Sequence, residues 1–365
     1  MLSVLFGPWD TAVAADSASV DTRPPVAPDI REDETELKLQ RGNLVVVPIP
    51  ISNPTLETGL VAGAAWFYGQ SPEQAAEQPA SLTAAAGLYT SNDSRALILG
   101  QQNYWSGNRW RFTGAVGAAD LNLTLPVPGD SGQETETDWQ VEGAFVFAKV
   151  ARRFAGDWYG GGQLRAIDAD QAFGEAQPDD GFDVDASINT AGIGLLVEYD
   201  NRDMPINSYS GRYFKLDVLF NYDVLGGDST YQNYSATLRA YRELRTGLVF
   251  AWEARACNRS GQAPLWDACT IPLRGFSATD YLGKVSAAGQ AEIRWQVSPR
   301  WGAVGFAGAG FTARAFNERG EDDTIPSYGA GIRFMVLPAK RVNLRVDFAR
   351  SKDSDAIHVS VGEAF

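Results

Sequence analysis

The stretch Lys284–Val297, KVSAAGQAEIRWQV, alternates apolar and polar side chains along its length. One side ends in Ile293, Trp295 and Val297, and the other carries charged residues such as Glu292. Successive side chains of a β-strand point to opposite faces, so this period of two predicts a strand with one apolar and one polar face.

The same alternation recurs from residue 43 onward, between breaks rich in Gly, Asp, Asn and Ser. Strands of about ten residues, tilted, are long enough to cross a bilayer. We predict sixteen strands, an even number, over 44–52, 59–68, 81–91, 95–105, 108–124, 137–153, 157–167, 190–200, 211–223, 231–243, 247–257, 282–297, 301–314, 326–337, 341–350 and 356–365.

Connection lengths also alternate from the middle of the chain onward. Short turns at 156–157, 245–247 and 339–340 alternate with long polar loops at 168–189, 258–281 and 315–325. Short turns on one rim and long loops on the other are typical of outer-membrane barrels. The sequence therefore predicts an all-β fold, a transmembrane antiparallel β-barrel of about sixteen strands.

Composition narrows the class of protein. The net charge of −14 argues against nucleic-acid binding, which needs a basic face. No run of 18 apolar residues occurs, so the sequence predicts no transmembrane helix.

A soluble β-sandwich or propeller would show the same alternation of apolar and polar residues. Charged polar faces and aromatic residues near many strand ends favour the membrane barrel.

The chain before the first predicted strand has a different composition. Residues 1–15 form a short apolar stretch ending in small residues, which predicts an atypical or truncated signal segment. Residues 16–42 are rich in Pro and acidic residues and predict a flexible leader. We assign residues 43–365 to the barrel.

Several residue groups resemble sites of chemistry, but none predicts an enzyme. Gly129–Gly132 resembles a serine-protease fragment without the other catalytic residues, and His358 with Ser360 and Asp347 forms an ordinary mixed-polarity set on an inner face. The acidic stretch 179–185 lacks the spacing of a calcium loop. We therefore expect no catalytic residue, cofactor or metal.

Five segments in order match one known family. They are Leu44–Pro54, Glu198–Asp203 (EYDNRD), Pro272–Phe276 (PLRGF) followed by Ala291–Arg294, Arg345–Ala349 and Val361–Phe365. Together they span nearly all of residues 43–365, and the set resembles the bacterial surface antigen superfamily, which includes BamA, TamA and two-partner secretion transporters. About 42 residues precede the first strand, so the chain resembles members that lack POTRA domains.

The resemblance implies that a long loop folds into the barrel lumen. Its Arg-Gly-Phe motif would be Arg274, Gly275 and Phe276, with Arg274 paired to Glu292 of the twelfth strand. The thirteenth strand has Gly308 where the family often has Asp. We therefore expect Asp347 of the fifteenth strand to be the second partner of Arg274. The expected loop latch consists of Arg274, Gly275, Phe276, Glu292 and Asp347. Alternatively, Arg274 only folds the loop and has no role in transport.

Two further expectations concern the cysteines and the last strand. Cys257 and Cys269 can close a disulfide at the base of the loop in an oxidising compartment, and stay free thiols in a reducing one. The last strand is predicted to end at the aromatic Phe365, and Val361 and Phe365 form the expected C-terminal assembly signal.

The functional hypothesis from the resemblance is insertion or translocation of proteins or lipids where the first strand meets the last. Pro48 and Pro50 remove backbone donors from the first strand, and alternatively protect or end an edge strand. Rival hypotheses are a passive diffusion pore and a structural or adhesive surface protein. Expected partners are outer-membrane lipid and lipopolysaccharide, the barrel assembly machinery during biogenesis, and a protein or lipid cargo. We expect the protein to be a monomer in the outer membrane of a Gram-negative bacterium.

Overall fold

The computed structural model describes residues 40–41, 44–128, 134–174, 182–315, 324–338, 341–352 and 354–365. The predicted signal segment, nearly all of the predicted leader, the Gly129–Gly132 tip, most of the 315–325 loop and the 339–340 turn lie outside these residues. No helix within them is long and apolar enough to cross a membrane.

The chain forms a closed antiparallel barrel of sixteen strands, as the sequence predicted. Each strand pairs with its neighbours in sequence, and a two-residue strand, Gln40–Arg41, lies beside β1. The strands are β1 Leu44–Asn53, β2 Glu57–Phe67, β3 Leu82–Thr90, β4 Arg95–Trp105, β5 Trp110–Pro128, β6 Glu134–Ala155, β7 Trp158–Phe173, β8 Ser187–Asp200, β9 Gly211–Asn221, β10 Tyr231–Arg245, β11 Leu248–Gly261, β12 Val285–Gln296, β13 Trp301–Ala313, β14 Ile325–Leu337, β15 Val342–Ser351 and β16 Asp355–Val361. A helix, α1 (Pro72–Glu77), lies between β2 and β3.

Many strand ends differ from the prediction by a few residues, and the largest differences lie in β5 to β7 and at the end of the last strand. β5, β6 and β7 continue past the predicted ends towards the long loops, and on β5 the apolar alternation continues through Leu123, Leu125 and Val127. The prediction that the last strand runs to Phe365 is wrong: β16 ends at Val361. Gly362 then adopts φ +93°, which turns the chain away from the strand.

The outer surface of the barrel is apolar and has aromatic residues at both ends. On β4, Leu97 and Leu99 are 65% and 52% exposed while Ile98 between them is 7% exposed. Exposed tryptophans lie at the rim of the short turns: Trp66, Trp105, Trp110, Trp158, Trp295 and Trp301. Exposed tyrosines at the rim of the long loops are Tyr89, Tyr222 and Tyr328. An apolar band between two aromatic girdles is the surface that transmembrane barrels present to lipid.

The buried faces of the strands differ around the barrel. Strands β11 to β15 carry buried charged residues such as Glu253, Glu292 and Asp347, in line with the predicted charged faces. In β5 to β7 the corresponding face is largely apolar near the long loops, with Leu121, Trp139 and Ile167 in one cluster. The interior is therefore charged on one side and apolar on the other.

Candidate functional site

The candidate site comprises two features: the loop of residues 262–284, between β11 and β12, and the seam, where β1 meets β16. Gly275 lies in the loop with φ +113°, and an added Cβ would lie 3.2 Å from the carbonyl carbon of Arg350. Both the backbone conformation and this close approach to β15 favour glycine at position 275.

Arg274 binds carboxylates of two different strands. Its Nη2 donates to Glu292 Oε2 at 2.8 Å, and its Nη1 donates to Asp347 Oδ2 at 2.9 Å. Both carboxylates are almost fully buried, at 2% and 0% exposure. The guanidinium also lies 3.4 Å from the ring centroid of Phe306, a cation–π contact. The structure thus brings together three predicted residues, and Gly308 on β13 supplies no charge to the cluster.

The other member of the Arg-Gly-Phe motif packs within the loop and against the barrel wall. The ring of Phe276 meets that of Tyr281 edge-on, with centroids 5.4 Å apart. Phe276 also belongs to a buried cluster with Ile271, Leu273 and Ile325. Apolar packing therefore holds the part of the loop next to Arg274.

Ion pairs extend from Arg274 to the residues that follow β16. Arg294 Nε donates to Glu292 Oε1 at 2.6 Å, and Arg294 Nη2 donates to the backbone oxygen of Phe365 at 2.8 Å. Arg333 pairs with Asp347 and also with Glu363, the latter at 2.8 Å. One buried network therefore connects the loop to residues 363–365.

Phe365, predicted as part of a strand, instead packs against β10. Its ring centroid lies 6.3 Å from that of Tyr241, and its side chain is 6% exposed. Val361 remains on β16, where it pairs with Leu344. The two residues of the expected assembly signal therefore lie on different segments.

The base of the loop is held by a disulfide and by a second cluster that the sequence did not reveal. Cys257 and Cys269 are joined by a disulfide. Asp267, 3% exposed, accepts hydrogen bonds from Arg165 Nη2 at 2.6 Å and from the Tyr231 hydroxyl and the Asn233 amide, both at 2.8 Å.

Arginine charges keep the Asp267 carboxyl ionised. Burial on its own raises the pKa of this carboxyl, but Arg165 and Arg259 outweigh burial and hold the pKa below its ordinary value. Arg259 Nε also donates to the backbone oxygen of Asp267 at 2.7 Å. The loop is thus bound to β7, β10 and β11 through one aspartate.

The seam is the weakest pairing in the barrel wall. All ten residues of β1 pair with β2, and all seven residues of β16 pair with β15. Between β1 and β16 the pairing is confined to Val359 and Ser52. Pro48 and Pro50 lie in β1 and have no N–H to donate.

The loop contacts both sides of the seam. On the β1 side, Thr55 Oγ1 accepts from the Ala278 backbone N–H at 2.8 Å. On the β16 side, His358 Nε2 accepts from the Gly275 N–H at 3.2 Å, and the Ser354 hydroxyl donates to the Gly275 carbonyl at 2.6 Å. The loop therefore bridges the strands that pair poorly with each other.

The residues that resembled a catalytic set or a calcium loop in the sequence make structural contacts in the barrel. His358 pairs with Asp347 in the β15–β16 register, while the Ser360 hydroxyl donates to the Val361 carbonyl at 3.4 Å. Part of the acidic stretch 179–185 lies outside the described residues, and Asp183 accepts from the Ser229 hydroxyl at 2.9 Å. Within the described part of the chain, no group of three or more His, Cys, Asp or Glu residues could hold a metal ion.

Sequence reasoning missed Asp267 and its partners, as well as Thr55 and Ser354. Asp267 meets Arg165, 102 positions earlier in the chain, and Thr55 meets Ala278, 223 positions later. Single polar residues at such separations leave no local pattern. Only the pairing register of the barrel brings them together.

Comparison with solved structures identifies the same architecture. BamA from Haemophilus ducreyi lacking POTRA domains 1–3 superimposes with a TM-score of 0.60 at 12% identity, over 89% of this chain and 71% of that chain. This barrel has the BamA fold. The resemblance in fold predicted from the Arg-Gly-Phe loop and the terminal strands is confirmed.

CdiB proteins share the fold as well. CdiB from Escherichia coli matches with a TM-score of 0.60 at 12% identity, and CdiB from Acinetobacter baumannii with 0.59 at 13%. The chain covers 63% and 60% of those two chains, which is less than two thirds of their length. No family model matches the sequence, and no curated protein matches it.

Proposed function

We propose that the protein aids the insertion or translocation of proteins or lipids through the seam between β1 and β16. The observation that carries this proposal is the single residue pair, Val359 with Ser52, that joins these strands. Each ladder hydrogen bond contributes only about 0.5–1.5 kcal/mol net, so opening a seam with few of them costs little. An opened seam exposes two strand edges, and strand edges pair readily with other chains.

The loop is the element that would respond to opening. We place residues 262–284 in the lumen, because their partners lie on strands from different parts of the barrel, including β7, β10, β12 and β15. Since Thr55 and His358 hold the loop from opposite sides of the seam, separating β1 from β16 must break one of these contacts.

The apolar outer band supports placement in the outer membrane of a Gram-negative bacterium. Its contacts there would be lipid and lipopolysaccharide, and the protein would act as a monomer. Val361 and Phe365 would be read by the barrel assembly machinery before Phe365 packs against Tyr241. The chemistry proposed involves no enzymatic step, cofactor or metal.

In-cell photo-cross-linking from positions 45, 47 and 49 of β1 tests the proposal. Adducts with other outer-membrane barrels, or with lipid, are expected if the seam receives cargo. A disulfide engineered with Ser52→Cys and Val359→Cys should abolish those adducts. The matched control, Val346→Cys with Val359→Cys, joins β16 to its fully paired neighbour β15 and should leave them unchanged.

Adducts with the protein's own last strand alone would overturn insertion and translocation at the seam. The passive pore would then be the better hypothesis. Conductance across a planar bilayer should in that case be indifferent to the Ser52–Val359 cross-link, and deleting residues 262–276 should raise it.

A further inference from the structure

Charged residues on the outward face of the barrel wall differ between its two ends. Towards the short turns they are arginines, namely Arg152 on β6, Arg212 on β9 and Arg242 on β10, and all three are exposed. Towards the long loops, strands β5 to β7 carry outward carboxylates: Asp120, Asp138, Glu142, Asp168 and Asp170. The outward wall is thus positive near the short turns and, on β5 to β7, negative near the long loops.

Two of these arginines are neighbours on the wall. Arg212 pairs in register with Ala240, which lies two positions before Arg242 on the same face of β10. Diagonal neighbours across two strands are about 7–8 Å apart, so two long arginine side chains can reach one ligand between them. Ala240 is small and leaves room for such a ligand.

The two arginines lack a counter-ion from the protein. Neither side chain has a carboxylate partner within the residues that the structure describes. Glu243 follows Arg242 but lies on the opposite face of β10, where it pairs in register with the buried Val249. Asp200 and Asp203, at the same rim, are bound by other arginines at 2.8 and 2.6 Å. Like charges side by side repel each other, so the pair favours an anion between them.

The outward surface next to the pair is apolar. Phe214 and Leu238 are register partners, each two positions further from the short-turn rim than Arg212 and Ala240, and the exposed Leu216 follows on β9. The ring of Phe214 lies 6.0 Å from that of Trp158, which belongs to the aromatic girdle. Aromatic girdles lie where lipid headgroups meet acyl chains, so the arginine pair lies at headgroup level.

We propose that Arg212 and Arg242 bind the phosphate group of an anionic phospholipid, whose acyl chains pack on Phe214, Leu216 and Leu238. Guanidinium groups match the geometry of phosphate oxygens. The short turns of outer-membrane barrels face the periplasm, so the lipid belongs to the periplasmic leaflet. The proposal rests on the proposed placement of the barrel in a membrane, and it does not depend on opening of the seam.

The position of the pair favours a lipid over an acidic protein. The two side chains extend from the outward wall and have apolar residues beside them. A soluble partner would have to displace lipid headgroups to reach them. A phospholipid supplies both the anionic group and the apolar chains that this surface matches.

Native mass spectrometry of the full-length protein in detergent tests the proposal. The probe is phosphatidylglycerol, and phosphatidylcholine with the same acyl chains is its neutral counterpart; the first should bind at least about tenfold more tightly. A basic residue at a membrane surface contributes roughly a fivefold preference for anionic lipid. Arg212→Gln combined with Arg242→Gln should therefore lower the affinity for phosphatidylglycerol about thirtyfold and change that for phosphatidylcholine little.

The matched control is Arg95→Gln combined with Arg350→Gln. It removes the same charge from two exposed arginines that already pair with carboxylates, Asp120 and Asp355, and should leave binding unchanged. If the Arg212 and Arg242 variant does not fold, raising ammonium acetate from 0.1 to 0.5 M with the wild type decides the matter. Screening by salt should then reduce the preference for phosphatidylglycerol at least about threefold.

Four results would overturn the proposal: equal affinity of the wild type for the two lipids, binding that survives the loss of both arginines, an equal loss in the control, or displacement of the lipid by glycerol 3-phosphate, which carries the phosphate without the chains. A preference that does not respond to salt would overturn it as well. The cross-link from Ser52→Cys with Val359→Cys closes the seam and should leave lipid binding unchanged. Failure of this site and failure of the seam function therefore give different results.

Discussion

Replacing Asp267 with Asn should release the base of the 262–284 loop while the barrel stays folded. Asp267 is the shared acceptor for Arg165, Tyr231 and Asn233, and it pairs with Arg259 at 3.3 Å. Asn keeps the size of the side chain but removes its charge. Two arginines that are largely buried then lose their counter-ion.

The size of the effect follows from burial. Breaking a buried ion pair by removing one partner costs about 3–5 kcal/mol, because it leaves an uncompensated charge. The Arg165 side chain retains 20% exposure and that of Arg259 11%, so water compensates part of the loss and the lower end of the range applies. At about 1.4 kcal/mol per factor of ten, a loss of about 3 kcal/mol raises the population of loop-open states roughly a hundredfold.

Hydrogen exchange of backbone amides in 262–284, followed by mass spectrometry in nanodiscs, measures this population. Asp267→Asn should accelerate exchange there about a hundredfold and leave β5 to β7 protected. Asp355→Asn is the control, since its pair with Arg350 is 51% and 60% exposed and contributes no more than about 1 kcal/mol. Loop exchange that equals the wild-type rate in Asp267→Asn would refute the reasoning.

The same carboxyl makes the loop sensitive to acid. Because the pKa of Asp267 is lowered in the folded protein, its stabilisation is fully present above the unfolded value of about 3.9. It declines as the pH falls below that value towards the folded pKa. After correction for intrinsic exchange, loop protection should therefore be constant from pH 7 to 5 and decrease below about pH 4, and the decrease next to residue 267 should be smaller in Asp267→Asn than in the wild type.

Three further changes test the remaining contacts. Arg274→Met leaves two buried carboxylates without this partner and should destabilise the loop by about 3 kcal/mol, seen as faster proteolysis within 262–284. Arg350→Met breaks only an exposed ion pair and should have almost no effect. Cys257→Ser removes the disulfide and should cost about 3 kcal/mol in chain entropy, with the same readout; unchanged cleavage would show that the other contacts suffice. Gly362→Val places a β-branched residue at φ +93° and should cost about 1–2 kcal/mol, seen as faster amide exchange at 362–365, and no change would mean that the inward turn of Phe365 is unstrained.

The latch residues show how far sequence reasoning reached into the site. The contact between Arg274 and Glu292 was expected from the family resemblance alone, and the two residues are 18 positions apart in one loop and the strand that follows it. Asp347 is 73 positions from Arg274, and its expected role came from the direction of its side chain on the fifteenth strand. The contacts of His358 and Thr55 with the loop tip had no such signal, because both depend on how the barrel closes.

Alternation by itself places the end of the last strand near Val361. Ile357, Val359 and Val361 form an apolar face, and Glu363 at the next position of that face breaks the period, so the prediction of a strand to Phe365 rested on the terminal aromatic residue. The turn is set by Gly362 together with two tertiary contacts, Arg294 to the Phe365 carbonyl and Arg333 to Glu363. These contacts form only in the closed barrel, where Arg294 of β12 and Arg333 of β14 both point inward.

The sequence by itself determined the sixteen strands, their apolar and polar faces, and the class of barrel. This information is local, because the side-chain period of a strand is a property of consecutive residues. The tertiary structure decided which strands form a weak seam, how the loop is bound at Asp267, and that Arg212 and Arg242 are neighbours on the outward wall. Those features depend on register and closure, which place residues from distant parts of the chain on facing walls.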